Sequence, residues 1–315
     1  MAFTVLSDNN VKQLFQGFGP EDVALMSDVL TDAFLSYSVG PEAQYQPHRA
    51  AVVRPDGTTG LFMPATMEGG MSVKIVGLPP PNSATTDLRC VLTICDGTGK
   101  AATANIVVFG AGKQALWHLR LALVLRGKDI KTITIAMSKA SGVGNTDSVT
   151  FTVTEATPDS APGNAELRSA VEESDVIFCT TPSTQRIFPA EWLTSERGSA
   201  KARYISAIGS YKLNMKELDP EFLRAVVDTP LGAFTSAGGG AKKDGIPAEK
   251  IVEVGEFTDK LRKADEGEAG LLREWLEKGL IVYKSVGIGI MDLSLGKVIL
   301  ELAAKHKVGT ILPEF

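Results

Sequence analysis

The chain is poor in the residues that mark several protein classes. Its 315 residues hold three cysteines and three histidines. Cys90, Cys95 and Cys179 are odd in number and lack zinc-knuckle spacing, and His48, His118 and His306 stand far apart, so reduced core thiols and no metal centre are expected. There is no excess of positive charge. The formal net charge is -5 and the Lys and Arg residues are scattered, which argues against nucleic acid and anionic membrane as partners. No apolar run approaches the length of a membrane span, and Met1-Ala-Phe-Thr-Val-Leu-Ser-Asp-Asn-Asn10 is expected not to be a signal peptide, having neither the basic nor the long apolar region of one. A cytoplasmic location is the resulting expectation. What the chain does have is a 44% apolar share, ample for buried cores in one large or two medium domains.

The organisation changes along the sequence. An amphipathic helix is expected over Pro20 to Tyr37, with Val23, Met26, Leu30, Ala33, Phe34 and Tyr37 on one side. Strand-like runs follow at Ala50 to Arg54, Gly60 to Pro64, Ser72 to Leu78 and Arg89 to Cys95. Asp56-Gly57, Pro79-Pro-Pro-Asn82 and Asp96-Gly97 punctuate them, which predicts a mainly antiparallel sheet. From Ala104 the pattern alternates strand and helix, with strands expected near 104 to 109, 131 to 137, 148 to 154, 175 to 180, 203 to 208 and 224 to 228. A charged helix from Asp259 to Lys278, a strand from Leu280 to Lys284 and a closing helix from about Met291 to His306 complete the reading. The fold class is α/β: a Rossmann-type doubly wound parallel sheet plus a smaller α+β domain.

The densest signal is Ala104-Asn-Ile-Val-Val-Phe-Gly110-x-Gly112-x-x-Ala115, an apolar strand running into a glycine turn and then a helix. Gly110 permits the tight turn, Gly112 lets a pyrophosphate approach the backbone, and Ala115 lets helix and strand pack closely. Amides at the helix start, through Lys113, Gln114 and Ala115, would face the anion at the positive end of the helix dipole. A strand-to-helix turn with no ligand is the plain alternative. At the end of the second strand, Met137-Ser138-Lys139 offers a hydroxyl and a cation where an NAD site carries an acid, so NADP(H) is favoured over NAD.

Taken in order, Pro47-His-Arg49, Met63-Pro-Ala65, Val73-Lys74, Asp96-Gly-Thr-Gly99, the Gly110 turn, Cys179-Thr-Thr-Pro-Ser183, Ala207-Ile-Gly-Ser210 with Lys216-Glu-Leu218, and Lys284-Ser-Val-Gly287 with Asp292 resemble the ornithine cyclodeaminase and mu-crystallin family. The resemblance implies a substrate-binding and dimerisation domain from 1–102 and 289–315, a dinucleotide-binding Rossmann domain from 103–288, and a homodimer. It also implies that Arg49 binds a substrate carboxylate and that Lys74 lies beside the reacting carbon. Read from the residues alone, Arg49 and Lys74 form a cationic pair on adjacent strands, able to hold an α-amino or α-imino acid, with Lys74 also a proton source. Two solvated strand cations are the bland alternative. The cofactor would also meet Thr180, Thr181, Ser183, Gly209, Ser210 and Gly287.

Two departures from the family pattern shape the functional expectation. Between Gly99 and Gly110 the resemblance implies a few dozen residues, including a helix whose arginine also binds the carboxylate, but only Lys100 to Phe109 fill that interval. After the strand at 203 to 208, Tyr211 occupies the place of an aspartate used in cyclising deamination, and tyrosine is no carboxylate base at neutral pH. The leading expectation is an NAD(P)H-dependent oxidoreductase on a small α-imino, α-keto or α-amino acid, of ketimine reductase or amino-acid dehydrogenase type. A non-catalytic NADPH-binding protein, its activity lost with the missing segment, is the alternative. Ornithine cyclodeaminase proper is the third.

Overall fold

The computed structural model describes residues 3–80, 83, 89–96, 101–109, 113–126, 128–137, 150–155, 164–181, 183–208, 216–227, 233–235, 251–285 and 287–312. The chain divides into two compact units, Met1–Trp117 with Gly287–Phe315, and His118–Val286. It is a mixed α/β protein.

The first unit is built on an antiparallel sheet of five strands in sequence order: β2 (Ala50–Val53), β3 (Thr59–Met67), β4 (Gly70–Leu78), β5 (Arg89–Asp96) and β6 (Ala101–Phe109). A small pair, β1 (Phe3–Val5) and β14 (Thr310–Leu312), joins the two ends of this unit. Helix α1 (Asp8–Gln16) starts at a reciprocal cap, in which Asn10 N–H donates to Ser7 Oγ at 3.2 Å and Ser7 N–H to Asn10 Oδ1 at 2.9 Å. Helix α2 (Pro20–Ser38) opens with proline, whose missing N–H costs nothing there, and buries Val23, Met26, Ala33 and Phe34.

The closing helix, α10 (Gly289–His306), packs on α2 and against β3, β4 and β5. Its sheet-facing side is a row of small residues seven apart, Gly289, Gly296 and Ala303, which recur on one face of a helix. A Cβ on Gly289 would stand 2.8 Å from Ala65 Cβ, and one on Gly296 2.4 Å from Ile94 Cδ1. The helix therefore rides close enough to seal Ala65, Leu92, Ile94 and Leu293 into one core.

The opposite face of this sheet is apolar and open. Strand alternation sends Phe62, Met71, Val73 and Ile75 to it, and each is exposed.

The second unit holds a parallel sheet in the order β12 (Ile251–Glu253), β11 (Ala233–Thr235), β13 (Leu280–Lys284), β10 (Arg203–Ala207) and β9 (Val176–Cys179). A separate parallel pair joins β7 (Thr132–Met137) to β8 (Thr150–Glu155). On one face of the larger sheet, Ile205, Ala207, Val282 and Cys179 pack with Trp192 and with Phe222 and Leu223 of α7 (Pro220–Val227). On the other, Tyr204, Ile281 and Tyr283 pack with Phe257 of α8 (Val254–Lys263) and Leu272 of α9 (Glu266–Lys278). Burial and the neighbouring Tyr283 push the Tyr204 phenol up to about 12. Helices cover both faces, as parallel strands with near-continuous apolar runs require.

Three expectations are corrected. Residues 104–109 form part of β6, paired antiparallel with β5, and not the first strand of the parallel sheet. With only residues 97–100 between β5 and β6, far fewer than the dozen or so a parallel crossover needs, a strand that pairs with β5 here runs antiparallel to it. Of the strand expected at 224–228, residues 224–227 are helical instead, because Asp219-Pro220 is a helix start, and residue 228 lies outside the described residues. Glu221 N–H donates to Asp219 Oδ1 at 3.0 Å, and the helix runs to Val227, leaving the strand to Ala233–Thr235. The long charged helix is two, broken where Asp265 caps α9 by accepting from Glu268 N–H at 2.9 Å.

Candidate functional site

In the first unit the predicted cations share a face of the sheet but not neighbouring strands. Lys74 of β4 pairs with Met63 of β3, and Arg49 directly precedes β2, where continuation of the Ala50–Phe62 register sets it opposite Met63. Two strand spacings, about 10 Å, therefore separate the Arg49 and Lys74 backbones. Both side chains are long enough to meet on one carboxylate across that gap. Lys74 lies on the face covered by α10, and its Nζ stands 2.5 Å from Asp292 Oδ2. Their side chains are 26% and 29% exposed, so the pair is open to a solute. Arg49 is exposed. The three charges sum to one net positive charge, the complement of a single carboxylate.

In the second unit the parallel strands end flush. Cys179, Ala207 and Lys284 are cross-strand partners, and Thr235 pairs with Lys284. Pairing runs one step further through Ile208 N–H to Cys179 O at 3.0 Å and Ser285 N–H to Ala207 O at 3.1 Å. Thr180, Thr181 and Ser183 thus leave the sheet at the carboxyl edge, where open α/β sheets take their ligands. Gly287, with φ +67°, follows β13 at that same strand end.

The Thr180–Ser183 segment is fixed by a second element that the sequence reading used only as a family motif. Glu217 is 2% exposed and accepts from Thr181 N–H at 2.7 Å and from Thr181 Oγ1 at 3.3 Å. Lys216 N–H donates to Ser183 O at 2.7 Å, and Ile187 N–H to Glu217 O at 3.0 Å. Two residues on, buried Asp219 accepts from Arg186 Nη1 at 2.5 Å and from Ala190 N–H at 3.3 Å. Burial alone would raise the Asp219 carboxyl. The Glu221 and Ala190 amides and the Arg186 guanidinium outweigh it and hold the group below its ordinary value. Burial first, and Glu217 second, push the Cys179 thiol well up, which makes it a packing residue and not a nucleophile. The sequence signal for this clamp was an acid on each side of apolar Leu218, immediately before a proline.

Of the other predicted cofactor contacts, Gly110, Gly112, Ser138, Lys139, Gly209 and Ser210 lie outside the described residues, as does Tyr211. Lys113, Gln114 and Ala115 form the first turn of α3 (Lys113–Arg126), which contains no acidic residue. Within the first unit, the α3 start follows Gly110-x-Gly112 in sequence and has no acid in its first turn to repel an anion; within the second, Thr180, Thr181 and Ser183 offer hydroxyl groups at the strand ends. Among the described residues no three His, Cys, Asp or Glu side chains gather as a metal site, and no helix is long and apolar enough to cross a membrane.

No family model matches the sequence. Individual proteins do. The chain is 30% identical over 151 residues to the Delta(1)-pyrroline-2-carboxylate reductase of Bacillus cereus, covering 46% of this chain and 42% of that protein. It is 28% identical over 160 residues to the alanine dehydrogenase of Archaeoglobus fulgidus, covering 48% and 45%. Among solved structures, an archaeal alanine dehydrogenase dimer with bound NAD superposes over 100% of both chains with a TM-score of 0.67 at 19% identity. The chain is thus similar to members of the ornithine cyclodeaminase and mu-crystallin family. The matched segments span from 42% to 61% of the length of the curated relatives, so the likeness carries the fold further than it carries an activity.

Proposed function

We propose that the protein is an NAD(P)H-dependent oxidoreductase acting on the C=N or CH–NH group of a small α-imino, α-keto or α-amino acid. The observation that carries this reading is the Lys74–Asp292 ion pair on the α10-covered face of the antiparallel sheet, with Arg49 just before β2 supplying a second cation. Two kinds of support stand beside it: the carboxyl edge of the parallel sheet with its clamped Thr181 loop, and the dehydrogenase and reductase named among the relatives. A bound nicotinamide would supply the hydride. Arg49 captures the carboxylate, and Lys74 holds or delivers a proton at the nitrogen or oxygen of the reacting carbon. Gly110, Gly112 and the α3 amides would hold the pyrophosphate of a cofactor bound in the Rossmann manner. Ser138 and Lys139 favour NADPH through its 2'-phosphate. A homodimer joined through the open apolar sheet face of Phe62, Val73 and Ile75 fits the same reading.

The test is direct. Each nicotinamide cofactor is titrated by fluorescence, and cyclic imino acids and α-keto acids with ammonia are then screened for NADPH oxidation. Turnover is expected, with Arg49→Ala raising mainly KM and Lys74→Ala lowering mainly kcat. Tighter NADH than NADPH binding would remove the cofactor preference, and Gly112→Val with unchanged affinity would remove the glycine turn.

One observation favours a second reading, NADPH binding without turnover. The short connection keeps residues 104–109 in the antiparallel sheet, and the segment that in the family brings another carboxylate-binding arginine is missing. Tight cofactor binding with no turnover across the whole substrate screen would select it.

A further inference from the structure

We propose that Asp292 is a positioning residue for Lys74, holding the ammonium so that its remaining N–H donors point at a bound α-keto or α-imino acid. The proposal rests on the role given to Lys74 in the preceding section. Three observations carry it.

The first is the ion pair itself, 2.5 Å between Lys74 Nζ and Asp292 Oδ2, from strand β4 to the first turn of α10. An ammonium has three donors and no acceptor, so a carboxylate that takes one of them fixes where the other two point. The second is the built approach of the helix. Gly289, three residues before Asp292, sits where any Cβ would press on Ala65 Cβ and lie 3.0 Å from Pro64 O, on the strand next to Lys74. Ala65 pairs with Ser72, and Met63 with Lys74, so the glycine contact and the ion pair fall on neighbouring rows of one face. The third is accessibility. At 26% and 29% exposure the pair is within reach of a solute, and partly solvated ion pairs of this kind contribute little to folding. A carboxylate placed here by close helix packing, on the cation assigned to the reaction, therefore acts on geometry more than on stability.

The experiment uses the full chain and the variants Asp292→Ala, Asp292→Glu and Lys74→Ala. Reductive methylation with formaldehyde, read by mass spectrometry, reports how freely the Lys74 amine reacts compared with the other lysines of the same sample. In Asp292→Ala, Lys74 is expected to react several-fold faster while the melting temperature moves by less than about 2 °C. With a cyclic imino acid and NADPH, kcat is expected to fall on the order of tenfold with KM nearly kept, and Asp292→Glu to recover part of it. An α-keto acid added with NADPH slows Lys74 methylation in the parent chain and does so less in Asp292→Ala, a readout that needs no turnover.

Unchanged Lys74 methylation in Asp292→Ala overturns the proposal, because the pair then does not restrain the amine in solution. So does an unchanged kcat in Asp292→Ala when Lys74→Ala is dead, and this outcome leaves the proposed function standing. An active Lys74→Ala chain, or a parent chain whose Lys74 methylation the α-keto acid slows no more than buffer does, overturns the proposed role of Lys74, and the positioning role with it.

Discussion

The two sheets of this protein solve the problem of an apolar surface in opposite ways. The parallel sheet is covered on both faces, by α7 and Trp192 on one side and by α8 and α9 on the other. The antiparallel sheet is covered on one face by α10, while the other presents Phe62, Val73 and Ile75 to solvent. The contrast extends to charge. Carboxylates in the parallel unit, Glu217 and Asp219, are buried and tied to backbone amides. Asp292 in the antiparallel unit is part-exposed and paired to a single lysine. One unit spends its polar groups on fixing a loop, and the other leaves them open to a ligand.

That contrast is broken most severely at Phe222, which has no exposed surface. Phe222→Ala is expected to cost about 3 to 5 kcal/mol, because a large cavity opens under a sheet already packed on both faces. Ile75→Ala on the open face should cost well under half as much in dilute solution. Chemical denaturation of both variants decides it, and equal losses would mean that the outer face is covered.

Next in size is the acid clamp. The Asp219 carboxyl is depressed in the folded chain, so it contributes stability above its ordinary value of 3.8, and that contribution is lost as pH falls through the folded value. Asp219→Asn should unfold more easily at neutral pH, by about 1 to 3 kcal/mol, and show a flatter loss of stability on acidification below about pH 4. Parallel pH dependences for the two chains would exclude Asp219 as the linked group.

Ile75→Glu tests the open face itself. It should leave the melting temperature nearly unchanged at low concentration and shift sedimentation toward the monomer at higher concentration. An unaltered association state would show that copies meet elsewhere. The smallest effect concerns the thiols. Cys179 is buried with its thiol raised, so it should resist iodoacetamide under native conditions while half-buried Cys90 and Cys95 react slowly. Alkylation of Cys179 ahead of those two would mean that the edge of the parallel sheet opens readily.

Much of this architecture was legible in the residues. The strands at Ala50, Gly60, Ser72 and Arg89 announced themselves by alternation and by Asp-Gly and Pro-rich turns, and α2 by its periodic apolar face. Periodicity failed where a short-range feature ruled. The stretch from 224 to 228 read as a strand, but the preceding Asp219-Pro220 imposed a helix that runs to Val227. The apolar run to Phe109 reads as a buried parallel strand in any local window, and only its pairing with β5 shows that it belongs to the antiparallel sheet. Within the candidate site, Arg49 and Lys74 were legible as types, but their separation by β3 was not, because sequence order gives no register until the hairpins are set. The Lys74–Asp292 pair joins residues from opposite ends of the chain, and only the contact between α10 and the sheet reveals it.

The four residues between β5 and β6 also bear on the order of events as the chain leaves the ribosome. A hairpin with so short a loop closes within microseconds and can form as soon as residue 109 is made, whereas the strands of the parallel sheet must wait for partners encoded far downstream. The segment leading to the glycine turn is thus claimed before its competitors exist. Lengthening that one connection would change which sheet recruits the strand first, and would turn a topological outcome into a race between two rates.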